Sequence, residues 1–121
     1  MAGKILVVED EFLSRANLCT YLSSEGYEIR DVANGREALE VLAEETFDLV
    51  ITDLIMPHID GLRLIECLDD KWPHLPVILI SGYLSLQEGA ILEGKVAAVF
   101  HKPINLKDVA MAVKRILEPT T

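Results

Sequence analysis

Five short apolar runs, Lys4 to Val8, Tyr27 to Val32, Leu49 to Thr52, Val77 to Ile80 and Val96 to Phe100, are separated by longer stretches whose apolar residues recur at three- and four-residue spacing. Each run has the length of a strand, and each intervening stretch has the period of an amphipathic helix. Strands joined through helices lie parallel, with right-handed crossovers, because each helix carries the chain back to the starting end of the sheet. Five repeats of the alternation predict an open, doubly wound α/β sheet of five parallel strands with five helices. The first and fourth runs are almost unbroken in apolar character, which suits central strands covered on both faces. Tyr27-Glu-Ile-Arg-Asp-Val32 alternates polar and apolar and reads as an edge. The expected strand order is 2-1-3-4-5.

The helical faces are Leu18, Cys19 and Leu22; Ala38, Leu39 and Leu42 after an Asn34 cap with Glu37 three residues on; Leu64, Ile65 and Leu68 after Asp60; and Leu106, Val109, Ala110, Val113, Ile116 and Leu117 after Asn105. The fourth helix, within Leu84 to Gly94, is the weak element. Gly89 inside it and Gly94 at its end each cost up to about 1 kcal/mol relative to alanine where helix must continue. Its face is the one expected to move.

The 121 residues, half of them hydrophobic and 26% charged, suit a single domain over residues 1–121 with a core that needs no metal or disulfide staple. No apolar run approaches the roughly 20 residues of a membrane span, and Met1-Ala-Gly-Lys4 does not open a signal peptide, so a cytoplasmic chain is expected. Cys19 and Cys67 fall in helical apolar patterns and read as reduced thiols of the core. A net charge of −9 argues against direct nucleic-acid binding, which needs clustered Lys and Arg.

In such a sheet ligands bind beyond the carboxyl ends of the strands, where the strand order reverses. After the first strand come Glu9 and Asp10, after the third Asp53, after the fourth Ser81 and Gly82, and after the fifth Lys102 and Pro103. Any one of these alone would pass for a cap, a turn or a solvated strand end. Placed together, three carboxylates repel by roughly 4 kcal/mol per pair at 4 Å and an effective dielectric constant near 20. Lys102 supplies one compensating charge, and a hard divalent cation such as Mg²⁺, which takes oxygen ligands, supplies the rest. A hydroxyl and an ammonium beside the metal suit a phosphoryl group, and Asp53 becomes a plausible nucleophile.

The stretches Ile5-Leu-Val-Val-Glu-Asp-Glu11, Asp53-Leu-Ile-Met-Pro57 with Gly61, Ile80-Ser-Gly82 and Lys102-Pro103 resemble the receiver domain of two-component response regulators, the CheY-like superfamily. The resemblance covers Lys4 to Leu117 and implies the flavodoxin-like form of the fold. It implies that Asp53 accepts a phosphoryl group from a histidine kinase or phosphotransfer protein. It further implies Mg²⁺ held by Asp10, Asp53 and the Ile55 carbonyl, with Glu9 reaching the ion through water. Ser81 and Lys102 would hold the phosphoryl oxygens, and the Lys102–Pro103 peptide would be cis. The face of helix 4, strand 5 and helix 5 would switch on phosphorylation and serve as the docking or homodimer surface. An output domain or an effector protein would receive the signal.

Two features depart from the family pattern. Where receivers usually carry Tyr or Phe, three residues before the lysine, this chain has Val99; Phe100 next to it should point to the opposite face of the sheet. Tyr83, two residues past Ser81, is either a replacement aromatic that partly covers the phosphoryl site or a surface tyrosine on a loop. Competing functions are a receiver-like interaction domain not regulated by phosphorylation, a phosphatase with an aspartate nucleophile, and a flavin carrier. The phosphatase class commonly has a second Asp where Ile55 stands, and Glu9-Asp-Glu11 would repel a flavin phosphate. The full set of acids, Ser81 and Lys102 favours the phosphoacceptor.

Overall fold

The computed structural model describes residues 3–54, 61–82 and 84–118. Its order is β1 (Lys4–Val8), α1 (Phe12–Ser24), β2 (Glu28–Val32), α2 (Gly35–Glu44), β3 (Leu49–Asp53), α3 (Gly61–Lys71), β4 (Val77–Ser81), α4 (Leu86–Leu92), β5 (Ala98–His101) and α5 (Leu106–Leu117). All pairings are parallel, and the sheet runs β2-β1-β3-β4-β5 as expected. Strand alternation divides the apolar residues between two cores. Leu6, Val8, Val50, Val77 and Leu79 face α2, α3 and α4, where Ala38, Leu42, Leu64, Ile65, Leu68 and Leu92 close over them. Ile5, Val7, Leu49, Ile51, Ile78 and Ile80 face Leu18 and Leu22 of α1 and Val109, Ala110 and Val113 of α5. The sheet is therefore the middle of three layers, and its inner strands are buried on both faces.

The helix starts follow local chemistry. Asn34 accepts from the Glu37 amide and Asn105 from the Asp108 amide, while the Glu37 carboxylate reaches back to the Ala33 amide rather than to that of Asn34. Glu11 caps α1, its carboxylate accepting from the Leu13 and Ser14 amides. Two expectations need correction. The fifth strand begins at Ala98 rather than Val96, because Gly94 with φ 81° turns the chain and the Ala97 amide is drawn to the Val77 carbonyl at 2.7 Å. Cys67 is half-buried outside both cores; Cys19 packs at the edge of the α1 core, where burial first of all raises its thiol to about 11.

The fourth helix is the short element that its glycines foreshadowed: only Leu86–Leu92 is helical, started by a reciprocal capping box between Ser85 and Glu88. A Cβ on Gly89 would meet nothing nearer than Leu84 Cδ2 at 3.9 Å. Gly89→Ala is expected to stabilise the domain by about 0.5–1 kcal/mol in urea unfolding. Gly94→Ala, forced into positive φ, should destabilise it by about 1 kcal/mol.

Candidate functional site

The parallel register delivers the strand ends to one rim. Val8 lies opposite Thr52, Asp53 opposite Ile80, and Ser81 opposite His101. Glu9-Asp10, Asp53, Ser81 and Lys102 consequently meet at one edge of the sheet. Glu9 and Asp53 are each only 5% exposed and Ser81 is fully buried, whereas Asp10 stands in solvent. One carboxylate oxygen from each of Glu9, Asp10 and Asp53 lies within 4.8 Å of the others. The Lys102 ammonium donates to Asp53 Oδ2 at 2.5 Å and sits 3.3 Å from Glu9 Oε1. Its backbone amide donates to the Ser81 carbonyl at 2.8 Å, so the ends of β4 and β5 are tied together beneath the charges. A cavity of about 530 Å³, lined in part by Glu9, Lys102, Leu18 and Ile80, opens beside them and leaves the rim accessible.

Burial and charge shape the two groups that face each other across the site. Burial pushes the Glu9 carboxyl above its ordinary value; the Glu11 amide, donating at 3.1 Å, opposes this, the Asp53 charge adds to the rise, and Lys102 draws it back. For Lys102 burial favours the neutral amine, but the hydrogen bond and charge of Asp53, reinforced by Glu9, outweigh it and hold the pKa above the usual lysine value. One ammonium thus serves both Asp53 and Glu9.

Backbone packing holds Asp53 in place from behind. A Cβ on Gly61 would run into the Asp53 carbonyl oxygen and lie 2.5 Å from Leu54 Cα, and the Gly61 amide already donates to the Leu54 carbonyl at 2.6 Å. Glycine is required because the start of α3 touches the end of β3, a contact that the motif contained but that spacing alone did not explain.

Of the residues expected at the site, the structure brings together Glu9, Asp10, Asp53, Ser81 and Lys102. The Lys102–Pro103 peptide is cis, as the resemblance implied. Ile55, Asp60 and Tyr83 lie outside the described residues. Val99 is half-buried against the α2–α4 core, opposite Leu79 in β4, while Phe100 packs into the α1–α5 core as strand alternation requires. Sequence reasoning missed Arg15, whose guanidinium donates to the Glu9 carbonyl at 2.8 Å and to Asp31 Oδ2 at 3.0 Å; nothing in its spacing shows that β2 will stand within its reach.

Residues 5–114 match the response regulator receiver domain family. This chain belongs to that family. Among curated proteins it is 43% identical over 83 residues to the response regulator FleR of Pseudomonas aeruginosa, covering 69% of this chain but 18% of FleR. It is 32% identical to sporulation initiation phosphotransferase F of Bacillus subtilis over 97% of this chain and 95% of that one. Among solved structures, the Thermotoga maritima response regulator TrrA in complex with Mg²⁺-BeF superposes with a TM-score of 0.87 at 33% identity, covering 97% of this chain and all of TrrA. No described helix is long and apolar enough to cross a membrane.

Two substitutions probe the receiver's rim. An acid whose pKa is higher folded than unfolded binds more protons in the folded state between those values, so stability falls as pH rises through that interval. In metal-free buffer, Glu9→Gln should remove this fall: its stability relative to the parent should increase from pH 4 towards neutrality, measured by urea unfolding across pH. Gly61→Ala is expected to cost about 1–3 kcal/mol, since backbone rather than a flexible side chain must give way.

Proposed function

We propose that this receiver domain takes a phosphoryl group onto Asp53 from a histidine kinase or phosphotransfer protein, as part of a two-component phosphorelay in the cytoplasm. The observation that carries the proposal is the buried Asp53 carboxylate hydrogen-bonded to Lys102 within a cluster of three acids. The donor set is all hard oxygen and strongly anionic, which fits Mg²⁺. Asp10 and Asp53 would hold the ion with the Ile55 carbonyl, and Glu9 would reach it through water. When bound, Mg²⁺ supplies charge stabilisation to the transferring group. The complex of TrrA with Mg²⁺ supports this assignment.

In the transfer, an Asp53 oxygen attacks phosphorus in line, the new O–P bond forms as the N–P bond to the donor imidazole breaks, and the imidazole nitrogen takes the electron pair. Lys102 has its ammonium against the Asp53 carboxylate, so it is placed to neutralise charge on the arriving phosphoryl oxygens. Ser81, joined to Lys102 through the backbone, would donate its hydroxyl to another of those oxygens. The domain thus catalyses only its own phosphorylation and, by water attack on the aspartyl phosphate, its own dephosphorylation.

Drawing Ser81 inward would bias the adjoining short α4, and with it β5 and α5, between two arrangements. That face would meet an effector, an output domain or a second copy of the chain. Signalling would then run without an aromatic three residues before Lys102, because Val99 occupies that position. The relative named as a phosphotransferase supports a relay role.

The deciding experiment offers Mg²⁺ and acetyl phosphate to the full chain and measures acid-stable, base-labile phosphate by intact mass. The parent should gain one phosphoryl group and Asp53→Asn none. Lys102→Ala and Ser81→Ala should label at least about tenfold more slowly. Equal labelling of Asp53→Asn overturns the assignment.

A further inference from the structure

Arg15 lies outside the constellation of acids, hydroxyl and ammonium, yet its side chain ties the backbone of the acidic loop to β2. It projects from the first turn of α1 back over the loop between β1 and α1. Its Nη1 donates to the Glu9 carbonyl at 2.8 Å, its Nε to Asp31 Oδ2 at 3.0 Å, and its guanidinium lies 5.7 Å from the Phe12 ring centroid. The arginine side chain is 17% exposed. Asp31 belongs to β2 and pairs with Val7 in the sheet, so its position is set by the strand ladder. The guanidinium therefore spans from a helix, across the loop, to an edge strand.

The carbonyl that Arg15 holds belongs to the peptide joining Glu9 to Asp10. A planar peptide held at its oxygen narrows the orientations open to the Cα–Cβ bonds on either side of it. Those two bonds carry two of the three carboxylates in the cluster. The Glu9 amide is held at the same time by the Val32 carbonyl at 3.2 Å, so Arg15 and the end of β2 grip Glu9 from both of its backbone polar groups. Only a forked, planar cation reaches the carbonyl and Asp31 together; a lysine ammonium on a flexible stem does not reproduce that geometry.

We propose that Arg15, anchored by Asp31, is a positioning residue for the metal-binding acids: it holds the Glu9–Asp10 peptide in the orientation that gathers their carboxylates beside Asp53. The proposal rests on the reading of Glu9, Asp10 and Asp53 as the Mg²⁺ site. It also has a sign opposite to that of simple electrostatics. Removing a positive charge near a cation site should tighten Mg²⁺ binding, whereas releasing the acidic loop should weaken it. Partners that orient metal ligands typically contribute tenfold or more to affinity.

The test is calorimetric titration of the metal-free full chain with MgCl₂, with urea unfolding measured in parallel. Arg15→Ala and Arg15→Lys are both expected to weaken Mg²⁺ binding about tenfold. Arg15→Lys, which keeps the charge and most of the stem, should do so with little change in unfolding midpoint. Hydrogen exchange of the Glu11 amide, which donates to Glu9 Oε2, should become faster in Arg15→Lys while the β4 amides stay protected. Unchanged or tighter Mg²⁺ binding by a folded Arg15 variant overturns the proposal, and Arg15→Lys decides it should Arg15→Ala not fold. A parent chain that binds no Mg²⁺, or an Asp10→Asn variant that binds it as well as the parent, overturns the metal-site reading itself. A parent that binds with Arg15→Lys its equal overturns only the role of Arg15.

Discussion

Glu9 and Asp53 end neighbouring parallel strands, and their carboxylates are held almost out of water with a single ammonium between them. Like charges at such separation oppose burial, since each loses hydration while repelling the other. Lys102 offsets part of that cost, and its attachment to Ser81 makes the offset a property of β4 and β5 as well as of the lysine side chain. Under the proposed function, the remaining negative charge is what would draw a divalent cation to the rim, and the cation would in turn admit a phosphoryl group. Much else in the architecture serves this arrangement: the register that lines up the strand ends, the glycine that lets α3 start against Asp53, and the arginine that grips the acidic loop.

The same rim links chemistry to the weaker part of the fold. Ser81 closes β4, and the chain then runs through Leu84 and Ser85 into a seven-residue helix. A short helix with an interior glycine has little stability of its own beyond its capping box and the burial of Leu92. On the opposite side, α1 and α5 pack Leu18, Leu22, Val109 and Val113 into a continuous core against the sheet. The structure is therefore asymmetric about the acidic rim. A charge arriving at Asp53, as proposed, would meet firm packing on one side and a marginal helix on the other.

Much of this was legible in the residues. Apolar period identified the five strands and the helices, the polar alternation of β2 marked it as an edge, and the acids, serine and lysine could be read as strand termini because a parallel sheet orients every strand alike. Glycines in the fourth helix announced its weakness. The start of β5 was misplaced because Val96-Ala-Ala is apolar enough to continue a strand, while the turn at Gly94 and pairing with Val77 decide where the ladder begins. Cys67 looked like a core residue because it shares a helix with Leu64 and Leu68, but its side of α3 faces away from the sheet.

By itself the sequence determined the fold class, the strand order and the identity of the rim residues, since hydrophobic period and strand-end chemistry are local properties. Which groups touch was decided only by the tertiary structure. Arg15 and Asp31 are sixteen residues apart, and Gly61 comes against the Asp53 carbonyl only once the start of α3 lies beside the end of β3. Lys102 and Asp53, forty-nine residues apart, become hydrogen-bonded because β4 stands between their strands at a fixed register. Contacts of this kind depend on the angle and spacing between layers, which side-chain volume across the two cores sets and which no single segment encodes.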